Sequence, residues 1–152
     1  MVRLIETGTT KLSREEAFRY IGDFGNVDKW DPGVVAATKA TDGEPAIGTA
    51  YDVVVSYNGR EMEMTYVITE LAPGRKIVLE GTGARIKAID VIDFVDEADG
   101  TLITYTADLS LTGFARFVEP LIKGRLANVG EQAGIGLRRW LKELEVAAGI
   151  AG

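Results

Sequence analysis

The sequence predicts an α+β domain: a seven-stranded antiparallel curved sheet wrapped around a long C-terminal helix, with two short helices between strands 1 and 2. Three observations predict it. Between Val34 and Thr112 apolar and polar residues alternate, and turn signals cut the run into six short segments. From Val118 to Leu144 the apolar residues recur at steps of four and three, the period of a helix. Before both regions, Ser13-Arg14-Glu15-Glu16 has the form of a capping box that opens a helix after a Thr-rich strand.

The first strand is read over Val2 to Leu12, with Gly8 as a bulge. Ser13 caps the first helix, Leu12 and Ala17 form its hydrophobic staple, and Gly22 and Gly25 end it. A second short helix runs from Asn26 to Trp30 and stops at Pro32-Gly33. The period-two region follows. Gly48 to Tyr57 puts Tyr51, Val53, Val55 and Tyr57 on one face, against Asp52, Val54 and Ser56. Asn58-Gly59 is a hairpin turn, after which Met62, Met64, Tyr66 and Ile68 share a face. Pro73-Gly74 turns the chain into a strand carrying Ile77, Leu79 and Gly81 on one side. Next, Ile86, Ala88, Asp90, Ile92 and Phe94 alternate against Arg85, Lys87, Ile89, Val91 and Asp93. An acidic turn at Asp96 to Gly100 leads to the last strand, with Ile103, Tyr105, Ala107, Leu109 and Leu111 together. Short connections make the neighbours antiparallel, and alternation gives one wet and one buried face.

Pro120 suits the first turn of the final helix, expected from about 119 to 145 and roughly 40 Å long. Val118, Ile122, Leu126, Val129, Ala133, Leu137, Trp140 and Leu144 form its apolar stripe. Residues 1–146 are read as one domain and 147–152 as a frayed tail.

A bent sheet around one helix leaves space unless large side chains fill it. Gly130, Ala133, Gly134 and Gly136 make the middle of the helix small, although glycine inside a helix costs about 0.5–1 kcal/mol relative to alanine. Two readings stand: close packing of helix on sheet, or volume left for a ligand. The inner sheet face favours a pocket, because it carries Tyr51, Tyr57, Tyr66 and Tyr105 with their hydroxyls, the adaptable Met62 and Met64, and one carboxyl, Asp90. A carboxyl among Ile86, Ala88, Ile92 and Phe94 is costly unless it borders a wet cavity or meets tyrosine hydroxyls.

Composition narrows the chemistry. The 152 residues contain no Cys and no His, which removes disulfides, thiolate and imidazole metal sites, haem with a proximal His, cysteine nucleophiles and Ser-His-Asp triads. No metal site and no cofactor is expected. Asp90 and Asp93 face opposite sides of one strand, and Asp96, Glu97 and Asp99 are a solvated turn. Gly81-Thr82-Gly83 and Gly134-Ile135-Gly136 lack the strand-to-helix setting of a dinucleotide fingerprint. The net charge of −6 argues against nucleic acid as a partner, and the six basic residues between Phe114 and Glu145 read as a solvated helix face. No apolar stretch is long enough for stable membrane insertion and no secretory signal opens the chain, so a cytoplasmic protein is expected, monomer or homodimer.

The element order resembles the helix-grip superfamily of START lipid-binding domains, birch-pollen allergen proteins and bacterial polyketide cyclase/dehydrase-like proteins (the SRPBCC superfamily). The bacterial branch is marked by Tyr20-Ile21-Gly22-Asp23-Phe24, then Asn26 and Lys29-Trp30-Asp31-Pro32-Gly33. Further marks are Gly48-Thr49, Gly100-Thr101, and Leu109, Leu111 and Gly113 before the last helix. The resemblance covers the whole chain. It implies an internal cavity for a hydrophobic or amphipathic molecule such as a lipid, quinone or polyketide. The implied ligand-binding residues are Tyr51, Val53, Val55, Tyr57, Met62, Met64, Tyr66, Leu79, Asp90, Ile92 and Tyr105 on the sheet, with Leu126, Val129, Gly130 and Ala133 on the helix. Trp30 is read as a structural plug, and Pro32 and Gly33 as turn residues only. Some members are cyclases, aromatases or dehydratases acting on poly-ketone chains. Their chemistry leans on Arg, Tyr or acid groups, and here the inner registers offer tyrosines and Asp90, the best catalytic candidate, without an Arg. With imidazole and thiolate gone, the expectation is binding (sequestration, transport or presentation) rather than turnover.

Overall fold

A computed structural model describes residues 1–150. β1 (Val2–Thr10) is followed by α1 (Arg14–Ile21), a 3₁₀ helix (Phe24–Lys29) and β2 (Val34–Lys39). The meander continues through β3 (Ala50–Tyr57), β4 (Arg60–Ala72), β5 (Lys76–Gly83), β6 (Ile86–Glu97) and β7 (Gly100–Leu111). A second 3₁₀ helix (Gly113–Phe117) leads into α2 (Glu119–Ala147). The strands form one antiparallel sheet in the order β1-β7-β6-β5-β4-β3-β2. It is curled into a half-barrel that grips α2, the helix-grip fold.

Local chemistry sets the element ends. The Ser13 Oγ accepts from the Glu16 N–H at 3.2 Å, capping the helix, and donates to the Glu16 carboxylate at 3.0 Å. Asp23 caps the 3₁₀ helix by accepting from the Gly25 N–H, so this helix starts and ends earlier than the Asn26 to Trp30 span that spacing predicts. Asn58 and Gly59 both have left-handed backbones, φ 55° and 77°, as a two-residue hairpin between β3 and β4 requires.

Three expectations change. β1 ends at Thr10 rather than Leu12, because Leu12 leaves the sheet to bury itself beside α1. Gly8 is no bulge: β1 pairs with β7 in unbroken register from Val2↔Leu109 to Thr10↔Thr101. Its missing side chain admits Leu141, whose Cδ1 would lie 2.9 Å from a Cβ at that position. The pairing irregularities fall instead between Val34 and Ala36 and between Ile68 and Glu70. The 3₁₀ helix before α2 also has no counterpart among the elements expected from sequence. At the other end α2 reaches Ala147, and the Ile150 N–H donates to the Glu145 carbonyl. Residues 151 and 152 of the expected tail lie outside the described residues.

The core is concentrated at one end of the half-barrel. There Leu12, Ala17, Ile21, Phe24 and Val27 pack with Tyr51, Val53, Ile68, Ile77, Leu79, Ile92, Phe94 and Ile103 of the sheet, and with Leu137, Trp140 and Leu141 of α2. No helix among the described residues is long and apolar enough to cross a membrane.

Candidate functional site

Beyond that packed end lies a cavity of about 220 Å³ between α2 and the sheet. For scale, a cavity of about 150 Å³ admits benzene, so this one suits a larger ring system or a compact chain. Its roof is the N-terminal part of the α2 stripe, with Ile122, Leu126, Val129, Gly130 and Ala133 facing down. Its floor combines Val55, Tyr57, Met62, Met64 and Tyr66 of β3 and β4 with Ile86 and Asp90 of β6 and Tyr105, Ala107, Leu109 and Leu111 of β7.

Eleven of the fifteen residues expected to bind ligand therefore border one space: Val55, Tyr57, Met62, Met64, Tyr66, Asp90, Tyr105, Leu126, Val129, Gly130 and Ala133. Four do not. Tyr51, Val53, Leu79 and Ile92 belong to the packed core, because the short helices after β1 cover that end of the sheet. The Tyr51 ring packs against Phe24 at 6.1 Å between centroids.

Other wall residues depart from the sequence expectation or lie outside it. Trp30, expected as a plug, borders the cavity while only 3% exposed, its ring edge-on to Tyr105 at 5.3 Å. Gly33, expected to serve a turn only, is part of the wall, as are Ser56 and Arg85, both expected on the outward face. Ser56 sits where β2 and β3 leave regular pairing, its N–H donating to the Gly33 carbonyl at 2.8 Å. Arg85 precedes β6 and reaches the rim beside Leu111. From β1, Leu4 and Glu6 also line the space. Alternation within Val2–Thr10 was the signal available for them, and Thr-rich composition masks it.

The helix glycines resolve in favour of close packing. A Cβ at Gly136 would collide with the Trp30 carbonyl oxygen, one at Gly134 with the Glu6 carboxylate, and one at Gly130 would sit 3.2 Å from Leu4. Their absence lets α2 approach β1 and the Trp30 segment. The hollow opens beside these contacts, where the helix stands over the middle strands.

The polar groups gather at the closed end. Asp90 is 2% exposed, and one of its oxygens accepts from the Tyr105 hydroxyl while the other has no partner in the fold. Burial pushes this carboxyl up to about 7, the Tyr105 hydrogen bond acts in the opposite direction, and the carboxylates of Asp31 and Asp108 raise it further. Asp31, which follows the first 3₁₀ helix, is pushed by burial to about 6 although its Oδ1 accepts from the Gly33 N–H at 2.8 Å. Burial and these carboxylates hold the Tyr66 and Tyr105 hydroxyls well above the ordinary phenol range. The Tyr66 ring lies flat across Gly81, where a Cβ would be 2.5 Å from the ring. Such a site can hold an apolar body, bond a polar head, and exchange a proton near neutral pH.

A half-barrel gripping one helix over an apolar chamber defines the class of helix-grip proteins. The chain belongs to the family described as polyketide cyclase / dehydrase and lipid transport, whose model matches residues 1–134. Among solved structures it is similar to a START superfamily protein from Mycobacterium smegmatis, with 15% identity, TM-score 0.76, and 93% and 98% of the two chains covered. It is also similar to Zhui aromatase/cyclase from a Streptomyces species, with 15% identity, TM-score 0.75, and 98% of each chain covered. At such identities the likeness shows the fold. No curated protein sequence matches the chain.

Proposed function

We propose that this protein binds a small hydrophobic or amphipathic ligand in the cavity under α2, to sequester, carry or present it. The observation that carries the reading is the cavity itself. Its volume of about 220 Å³ is enclosed by aliphatic, methionine and aromatic side chains, with only a few polar groups at the closed end. The walls named above are the proposed ligand contacts. Native mass spectrometry of the purified protein, before and after solvent extraction, tests it together with Ala133→Trp, which fills the roof. A retained small molecule, lost in the Trp variant, is the expected result. Failure to retain any of a panel of neutral hydrophobic compounds overturns it.

One observation favours a second reading, a cyclase or dehydratase acting on a bound poly-ketone. Asp90 has a carboxyl near 7 and is hydrogen-bonded to Tyr105, a pairing suited to moving a proton onto and off an enol oxygen. Asp90→Asn would then abolish turnover while leaving binding of the poly-ketone intact.

A further inference from the structure

The closed end of the cavity holds two acids for which the fold supplies no cation. Asp90 on β6 and Asp31 after the first 3₁₀ helix both border it, close enough for the Asp31 carboxylate to raise the Asp90 carboxyl, and the rings of Trp30, Tyr66 and Tyr105 line the same space. Among the described residues neither carboxyl lies in an ion pair with a Lys or Arg. The third wall acid, Glu6, has its cation: Arg138 Nη1 stands 3.6 Å away. Arg85, the wall's own cation, lies five positions before Asp90, roughly 16 Å along an extended strand, so it serves the rim and not the closed end. No group of three metal-ligating side chains converges among the described residues. Asp90 has spent one oxygen on Tyr105 and keeps the other unpartnered.

A buried carboxyl with no cation is expensive to ionise, and an apolar cavity offers it nothing. A ligand that brings its own positive charge removes the expense and uses the aromatic faces as well, since an ammonium is drawn to the face of Trp or Tyr. We propose that the closed end recognises a protonated amine carried on a compact apolar body, with the Asp90 carboxylate as its counter-ion, Asp31 as a second acid, and Trp30, Tyr66 and Tyr105 as its walls. The inference rests on the ligand-binding reading above and adds the head group. Binding makes Asp90 the fixed partner of an ion pair, so the same pocket disfavours a carboxylate ligand of equal size.

Calorimetric titration at pH 8 with naphthylmethylamine, naphthylmethanol and naphthoate tests it, because the three share a body that fits the cavity and differ in head-group charge. The expected order is amine tightest and naphthoate weakest, with the amine ahead of the alcohol by at least about tenfold. Asp90→Asn should erase that advantage, and a cooperative urea transition with an unchanged far-UV circular dichroism spectrum reports that the variant folds. Equal or tighter naphthoate binding, or an amine preference that survives in both Asp90→Asn and Asp31→Asn, overturns the head-group inference while leaving the cavity reading standing. If none of the three binds, both fall.

Discussion

Along α2, Leu137, Trp140, Leu141 and Leu144 pack into side chains from β1, α1, the first 3₁₀ helix and the sheet, and Trp140 also meets the Tyr20 ring at 6.3 Å. Ile122, Leu126 and Val129 carry the same apolar stripe at the same spacing, yet they face open volume. One helix and one sheet thus make a solid half and a hollow half. The difference comes from a third party. Residues 12–30 cover the sheet only at the end where Leu12, Ile21, Phe24 and Val27 are inserted. The helix glycines tighten the contact on the β1 side and do not create the space. Amphipathic patterning states which face is buried, whereas what it is buried against decides whether the result is core or chamber.

The sharpest way to break the comparison is a matched pair of truncations on the helix. Leu141→Ala, in the solid half, should lose about 2–5 kcal/mol in urea unfolding, whereas Leu126→Ala, beside existing volume, should lose less than half as much. Equal losses would mean that the chamber collapses around Leu126.

The second test uses pH. Asp90 and Asp31 have carboxyls raised in the folded state, to about 7 and about 6, from an ordinary value near 3.8. The folded protein therefore holds protons that the unfolded chain has released between pH 4 and 7, and stability falls as pH rises through that window. The groups facing Asp90 are Asp31, Tyr66 and Tyr105, none of them a cation, while Asp108 lies on the other face of the sheet, paired with Arg3. Thermal melts of the unliganded protein should show a stability drop on the order of a few kcal/mol from pH 5 to pH 8. Asp90→Asn should flatten the curve and raise Tm at pH 8. A curve of unchanged slope in the variant would show that Asp90 does not carry it.

Two glycines on the one helix sharpen the contrast at smaller scale. Gly136→Ala drives a methyl group into the Trp30 carbonyl and should destabilise by about 1–3 kcal/mol. Gly124, with open space around its Cα, should gain about 0.5–1 kcal/mol as Ala. The smallest effect belongs to the segment before α2. Phe114 is 92% exposed on the second 3₁₀ helix, and Phe114→Ser should change urea stability by less than about 0.5 kcal/mol.

The strand faces were legible from alternation because a side chain's face depends on counting by two, a local property. That is why Asp90, Tyr66 and Tyr105 could be placed inward without coordinates. Asp31 was hidden for the opposite reason. Within Trp30-Asp31-Pro32-Gly33 it carries the same turn signature whether it meets water or closes a cavity, and it does make that turn, accepting from the Gly33 N–H. The second 3₁₀ helix was hidden as well, being too short for a period to show.

By itself, the sequence determined the element types, the antiparallel order of the meander, the buried faces and the absence of imidazole and thiolate chemistry. These follow from periodicity, turn residues and composition, all written in neighbouring positions or in simple counts. Only the tertiary structure decided which inward residues line a chamber and which fill a core, why Gly130, Gly134 and Gly136 are small, and that two acids share the closed end without a cation. Each of those facts is a distance between groups far apart in the chain. Tyr51 and Val53 show the rule most plainly: their alternation matches that of Val55 and Tyr57, and the short helices packed over them place the first pair in the core and leave the second pair facing the cavity.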